Sequence, residues 1–138
     1  MPSRKNLRPK IVDVFAGVGG FSLGATRAGF ELVAAIENDR YAAPTHLKNF
    51  PNSHHYGDVA EIDGRTMLEE LSLNHLAGLI GGPPCQGFST IGRNRKNDLR
   101  NSLFGQFFRL VGEIKPSFFV AENVPGIMRP EFDQVRSS

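Results

Sequence analysis

Lys10-Ile11-Val12-Asp13-Val14-Phe15-Ala16-Gly17-Val18-Gly19-Gly20 is the stretch on which the fold turns. Its first six residues form an apolar, β-branched run of strand length, interrupted by one acid. The glycines that follow let the backbone turn sharply and approach a ligand closely, with a helix N-terminus alongside. Small residues over about 21–28 continue as a helix, and Gly29 is placed to cap its C-terminus. Strand, glycine turn and helix in that order open a βαβ unit. The spacing is not Gly-x-Gly-x-x-Gly, because position 22 is serine, so a hydride-transfer dinucleotide domain is the weaker match.

Outward from this unit the same alternation repeats. Residues 32–36 read as a second strand, followed by a helix that takes Pro44 in its first turn. A short third strand is expected over residues 54–59. Asp63 can cap a helix carrying Met67, Leu68 and Leu71. The apolar run 76–82 reads as a fourth strand. Leu103, Phe104, Phe107, Phe108, Leu110, Val111 and Ile114 keep helical spacing before a fifth strand, residues 116–121. Strands alternating with helices give right-handed crossovers and an α/β, doubly wound, mainly parallel sheet.

With 138 residues, 40% hydrophobic and 22% charged, the chain is sized for one globular domain. A single cysteine excludes an internal disulfide framework and fits a reducing compartment. No apolar stretch approaches the roughly 20 residues of a membrane span. Arg4, Lys5, Arg8 and Lys10 precede an apolar segment that Asp13 breaks, which argues against a secretory signal. A net charge of +2 does not announce a nucleic-acid binder. Arg93, Arg95, Lys96 and Arg100, however, cluster after the cysteine, as either a solvated loop or a phosphate-contacting one.

Chemistry-bearing residues fall at the strand ends, which in an open parallel sheet converge on the ligand crevice. Glu37 follows the second strand, where an acid can accept hydrogen bonds from ribose hydroxyls, and Asp58 follows the third, where it can receive an exocyclic amine. With the glycine turn, they favour an adenosine-containing cofactor. Cys85 follows the fourth strand in Gly82-Pro83-Pro84-Cys85-Gln86-Gly87, and Glu122 follows the fifth in Glu122-Asn123-Val124. A lone cysteine is often a small buried hydrophobe, and a buried glutamate often a structural partner. A thiol and a carboxyl facing one pocket instead suit attack on an electron-poor ring and protonation of that ring. Behind apolar 118–120, Glu122 is expected at the dry end of a core strand, where desolvation resists ionisation. His46, His54, His55 and Cys85 lack zinc-like spacing, so no metal site is expected.

These segments, in this order, resemble the cytosine-C5 DNA methyltransferases. The matching pieces are Asp13 to Phe21, Glu37, Gly57-Asp58-Val59, Gly82 to Ser89, Asn101-Ser102-Leu103 and Glu122-Asn123-Val124, over roughly residues 10–127. The resemblance implies a Rossmann-like methyltransferase fold with S-adenosyl-L-methionine as cofactor. Phe15, Gly17 and Gly19 would line its site, Glu37 would hold the ribose and Asp58 the adenine amine. Asn38 stands where relatives often place an apolar or aromatic residue, which makes Phe15 the stacking partner; Val59, Pro84 and Leu103 would complete the shell. Cys85 would be the nucleophile toward cytosine C6 and Glu122 the acid at N3, on a nucleotide flipped out of DNA. Gln86, Ser89, Arg93 and Arg95 would contact the DNA backbone.

By the same resemblance, residues 1–138 correspond to the N-terminal part of a catalytic domain, truncated after the fifth strand, without a target-recognition domain. That implies a complementing C-terminal polypeptide, or self-association through an open sheet edge. It also implies a cytoplasmic location, with the nucleoid if bacterial. A non-catalytic cofactor-binding scaffold and a cytosine-C5 RNA methyltransferase are the alternative readings.

Overall fold

Apolar runs and one short histidine-bearing run pair into a five-stranded sheet in the computed structural model, which describes residues 8–83 and 102–122. In chain order the elements are β1 (Lys10–Val14), α1 (Gly20–Arg27), β2 (Glu31–Ile36), α2 (Ala42–Asn49), β3 (His54–Tyr56), a 3-10 turn (Val59–Glu61), α3 (Gly64–Glu70), β4 (Gly78–Gly81), α4 (Leu103–Ile114) and β5 (Phe118–Ala121). The sheet order is β3-β2-β1-β4-β5, with every neighbouring pair parallel. The chain winds from β1 out to β3, then returns to the other side of β1 for β4 and β5. The topological switch point therefore lies between β1 and β4, where doubly wound sheets bind ligands.

Residue alternation along β1 divides the two faces. Val12 and Val14 join Met67, Leu68, Phe107, Leu110 and Ile114 in the core beneath α3 and α4. Asp13 faces the other way and meets Ser22 of α1. α4 buries Phe104, Phe107, Leu110 and Ile114 on one stripe, starts where Ser102 accepts the Gly105 N–H at 3.0 Å, and stops at left-handed Lys115. α3 starts where Asp63 accepts the Thr66 N–H at 2.9 Å. Pro44 sits in the first turn of α2, where its missing N–H costs no helical bond.

Two elements differ from the sequence reading. β3 stops at Tyr56, because Asp58 turns its carboxylate onto the Ala60 N–H at 2.9 Å and starts the 3-10 turn that holds Val59. An aspartate that caps its own backbone competes with ladder pairing. β4 is shorter than the apolar run, beginning at Gly78 although Leu76 is fully buried. β5 lies at the sheet edge, with Phe119 and Val120 45% and 46% exposed. Its apolar composition alone reads as a strand buried on both faces. Its position matches the open edge that the family resemblance implies.

Candidate functional site

Register brings the strand ends level. Tyr56 pairs with Ile36, Ile36 with Val14, Val14 with Gly81 and Gly81 with Ala121, one row across the whole sheet. The residues that follow each member of that row emerge along a single rim: Gly57-Asp58, Glu37, Phe15, Gly82 and Glu122. Five separate stretches of sequence thus meet at the carboxyl edge.

The glycine turn is shaped by what it must fit. Phe15 has φ +59° and Gly17 φ +57°, so the chain reverses immediately after β1. A left-handed phenylalanine is uncommon and costs about 1–2 kcal/mol, a strain that recurs at binding sites. Gly19, at φ +111°, is held against α2, where a Cβ would lie 2.5 Å from Phe50 Cε2 and 3.2 Å from His46 Cδ2. Only glycine fits there. Glu37 latches the turn from the next strand: its Oε1 accepts the Gly17 N–H at 2.8 Å, and its Oε2 accepts the Asp39 N–H at 2.9 Å. Each carboxylate oxygen keeps a further lone pair for a ligand hydroxyl.

Phe15, Ile36, Glu37, Asn38, Gly57, Asp58, Val59 and Leu103 line one cleft of about 130 Å³. Six of these are residues to which the sequence assigns cofactor contacts. Apolar Phe15, Val59 and Leu103 face a polar rim of Glu37, Asn38 and Asp58, whose acceptor oxygens match a nucleoside with a flat ring, an amine and hydroxyls. Drug-sized pockets run to about 300 Å³ and above, so this cleft holds part of such a ligand. Gly17 and Gly19 stand in the adjoining turn. Ile36 and Gly57 are lining residues to which the sequence assigned no cofactor contact, although Gly57 stands in the Gly57-Asp58-Val59 piece.

Arg109 was also missed. From α4 it donates to the carbonyls of Val59 at 2.9 Å and Ile62 at 2.8 Å, and pairs with Glu113 at 2.8 Å. Glu113 in turn accepts the Gly64 N–H at 2.8 Å. The arginine thereby ties the Val59 wall of the cleft to the helix that carries Leu103. The signal was an i,i+4 Arg–Glu pair within an otherwise apolar helix.

Glu122 N–H donates to the Gly81 carbonyl at 2.9 Å, and a Cβ at Gly82 would collide with the Glu122 carboxylate. The acid therefore lies over the end of β4, beside the segment that leads to Cys85. It is exposed, not at the dry strand end the sequence indicated, because β5 is an edge strand. Cys85, Pro84, Gln86, Ser89, Arg93 and Arg95 lie outside the described residues.

Behind the glycine turn, Asp13 and His46 are buried, joined through Ser22. Burial pushes the Asp13 carboxyl up to about 6; hydrogen bonding from Ser22 pulls it down, and the negative charge of Glu37 raises it. Burial and the neighbouring His55 hold His46 below the usual imidazole range, against the opposing pull of Glu37. Nothing in the sequence reading gave these two residues a role.

The profile of the C-5 cytosine-specific DNA methylase family matches residues 9–137. The type II methyltransferase M.DdeI of Desulfomicrobium norvegicum is 46% identical over 119 residues, 86% of this chain and 28% of its own length. M.HgiGI of Herpetosiphon aurantiacus is 43% identical over 115 residues, 83% of this chain and 90% of its own length. The crystal structure of a prophage-encoded DNA modification methyltransferase from E. coli superposes with a TM-score of 0.78 at 45% identity, covering 94% of this chain and 36% of that one. The chain spans 28–37% of the length of five type II methyltransferase relatives. With residues 9–137, nearly its whole length, matched by the family profile, the chain belongs to the C-5 cytosine-specific DNA methylase family.

Proposed function

We propose that this chain binds S-adenosyl-L-methionine at the rim cleft and supplies the nucleophile for methylation of cytosine C5 in DNA. The observation that carries the proposal is the convergence of Phe15, Glu37, Asn38, Asp58, Val59 and Leu103 on one cleft over the carboxyl ends of β1, β2 and β3. Phe15 would stack on the adenine, Asp58 accept its amine and Glu37 its ribose hydroxyls. Bound there, the cofactor supplies an electrophilic methyl group.

The chain's residues act on the cytosine. A C5 carbon in an aromatic ring is a poor nucleophile. The Cys85 thiolate forms a bond to C6, and the C5–C6 π electrons move onto C5, which becomes enamine-like and able to attack. Glu122, beside Gly82, hydrogen-bonds or protonates N3 as the ring gains negative charge. After C5 acquires the methyl, a base removes its proton and the C6–sulfur bond breaks, returning the thiolate. Because C6 is inaccessible in a duplex, the nucleotide must leave the stack, with Gln86, Ser89, Arg93 and Arg95 on its phosphates.

The open edge of β5 gives the assembly its place. Phe119 and Val120 are exposed, and among the described residues no strand pairs with the outer side of β5, a surface that accepts a further strand. We assign it to a complementing C-terminal polypeptide that adds target recognition. The test is covalent trapping on duplex DNA carrying 5-fluorocytosine, whose C5 substituent cannot depart as a proton. The chain is assayed with S-adenosyl-L-methionine, alone and with the C-terminal remainder of M.DdeI. A covalent complex in the reconstituted pair, lost in Cys85→Ser, is expected. A complex that survives Cys85→Ser, or one formed on RNA and not on DNA, contradicts the proposal.

A further inference from the structure

The glycine turn rests on a buried line of polar groups. Asp13 Oδ2 is 2.5 Å from Ser22 Oγ, Ser22 Oγ is 2.9 Å from His46 Nε2, and His46 Nδ1 is 2.9 Å from His55 Nε2. His55 Nδ1 is 3.0 Å from the Ser53 carbonyl. The line crosses β1, α1, α2 and β3 in turn.

Four hydrogen bonds require four protons, one in each. The Ser53 carbonyl can only accept, so His55 Nδ1 carries one. An ionised Asp13, one serine hydroxyl and two neutral imidazoles supply three in total. The line therefore holds one proton more, and its net charge is zero. Asp13 Oδ1 locates it: this oxygen is buried and has no hydrogen-bond partner among the described residues. An ionised carboxylate would strand a charged oxygen there, whereas the carbonyl oxygen of a neutral acid is far cheaper to leave unpaired. Asp13 then donates to Ser22, Ser22 to His46 Nε2, His46 Nδ1 to His55, and His55 to Ser53.

The line ends against the turn itself. Ser22 lies in the first turn of α1, just past Gly19. The imidazole of His46 stacks on Phe50 with centroids 4.6 Å apart, and together these rings form the surface on which Gly19 sits.

We propose that Asp13 and His46 are positioning residues for the glycine turn, and that the line from Asp13 to His55 is a proton-bridged strut, which holds the turn in its cofactor-binding shape while the extra proton is present. This rests on the cofactor reading above. Glu37, at the end of β2, faces the strut from outside, and His55, from β3, faces His46 within it. Glu37 opposes a second negative charge at Asp13, and His55 opposes a positive charge on His46. Glu37 also favours a charge on His46, but burial and His55 outweigh it, and the proton stays on the acid. As pH rises the proton leaves, one of the four bonds is lost, and the turn loosens.

Two measurements test this on the intact chain. In the ligand-free protein, the carbon-13 shift of the Asp13 carboxyl and the nitrogen-15 shifts of His46 and His55 are followed with pH. Separately, affinity for S-adenosylhomocysteine is measured across the same range in the wild-type chain and in Asp13→Asn, whose amide donates to Ser22 as the acid does and cannot ionise. Asp13 is expected to titrate above the other aspartates, with both histidines as single neutral tautomers while it is protonated. Wild-type affinity should fall as the proton leaves, and at about pH 8 Asp13→Asn should bind roughly tenfold more tightly than wild type, within the range of ordinary site coupling. Asp13 titrating with the other aspartates, or an unchanged pH profile in Asp13→Asn, overturns the strut. No binding at any pH, with the Asp13 titration as expected, instead overturns the cofactor reading and the role given to the strut.

Discussion

Glu37→Ala separates two roles that one side chain performs. In the ligand-free chain the carboxylate accepts the Gly17 N–H at 2.8 Å and the Asp39 N–H at 2.9 Å. Hydrogen bonds to a charged group contribute about 1.5–3 kcal/mol each, and these sit at a half-exposed residue where water replaces part of the loss. The expected destabilisation is therefore about 2 kcal/mol for the pair, read as a lower urea midpoint with unchanged slope. Cofactor binding should lose a further ~1.5–3 kcal/mol from the ribose, roughly 10- to 150-fold in affinity by titration calorimetry. A ligand analogue separates the two: 2′,3′-dideoxy-S-adenosylhomocysteine lacks the hydroxyls Glu37 would hold. The analogue should bind wild type much more weakly than its parent does, and Glu37→Ala should bind both alike, a non-additive cycle. Additive losses would refute a direct contact and leave Glu37 only its latch on the turn.

Gly19→Ala should destabilise the chain by more than the ~1–2 kcal/mol of a left-handed backbone, because its Cβ would press on Phe50 at 2.5 Å; urea unfolding reads it. Asp13 gives stability a defined pH dependence. Its pKa is raised from 3.8 to about 6, so its favourable contribution is complete below about pH 4 and is lost as pH rises through 6. The loss approaches ~3 kcal/mol, and the stability gap between wild type and Asp13→Asn should open across that window; a gap that does not vary with pH would show an ordinary aspartate. Val120→Lys, on the exposed edge strand, should reduce self-association at micromolar concentration in sedimentation equilibrium, and an already monomeric wild type would show the edge to be protected.

Much of the architecture was legible because it is written in local patterns. Val12 and Val14 alternate around Asp13, Pro44 and Asp63 mark helix starts, and α4 keeps its stripe from Phe104 to Ile114. Phe15, Glu37 and Asp58 were legible at the cleft for the same reason: each stands within two residues of a strand end, and a parallel register brings strand ends level. What escaped were interactions between distant segments. Asp13 read as an interruption of a strand, and Ser22 as a departure from a glycine spacing. His46 showed no partner in sequence, although the fold joins all three in one line. Arg109 reaches carbonyls of the 3-10 turn region, and no periodicity reports that. Apolar residues 118–120 look alike in an edge strand and an interior one, which is why Glu122 was expected in a drier place than it occupies.

The most direct test of the central claim, that the rim of this sheet is a methyl-donor cofactor site, is an amide-resolved NMR titration of the chain with S-adenosylhomocysteine. Saturable shifts are expected at Phe15, Gly17, Glu37, Asn38, Asp58, Val59 and Leu103, from the glycine turn and the cleft. Shifts confined to the outer faces of α1 and α2, or none with the sheet folded and the ligand at millimolar concentration, would contradict it.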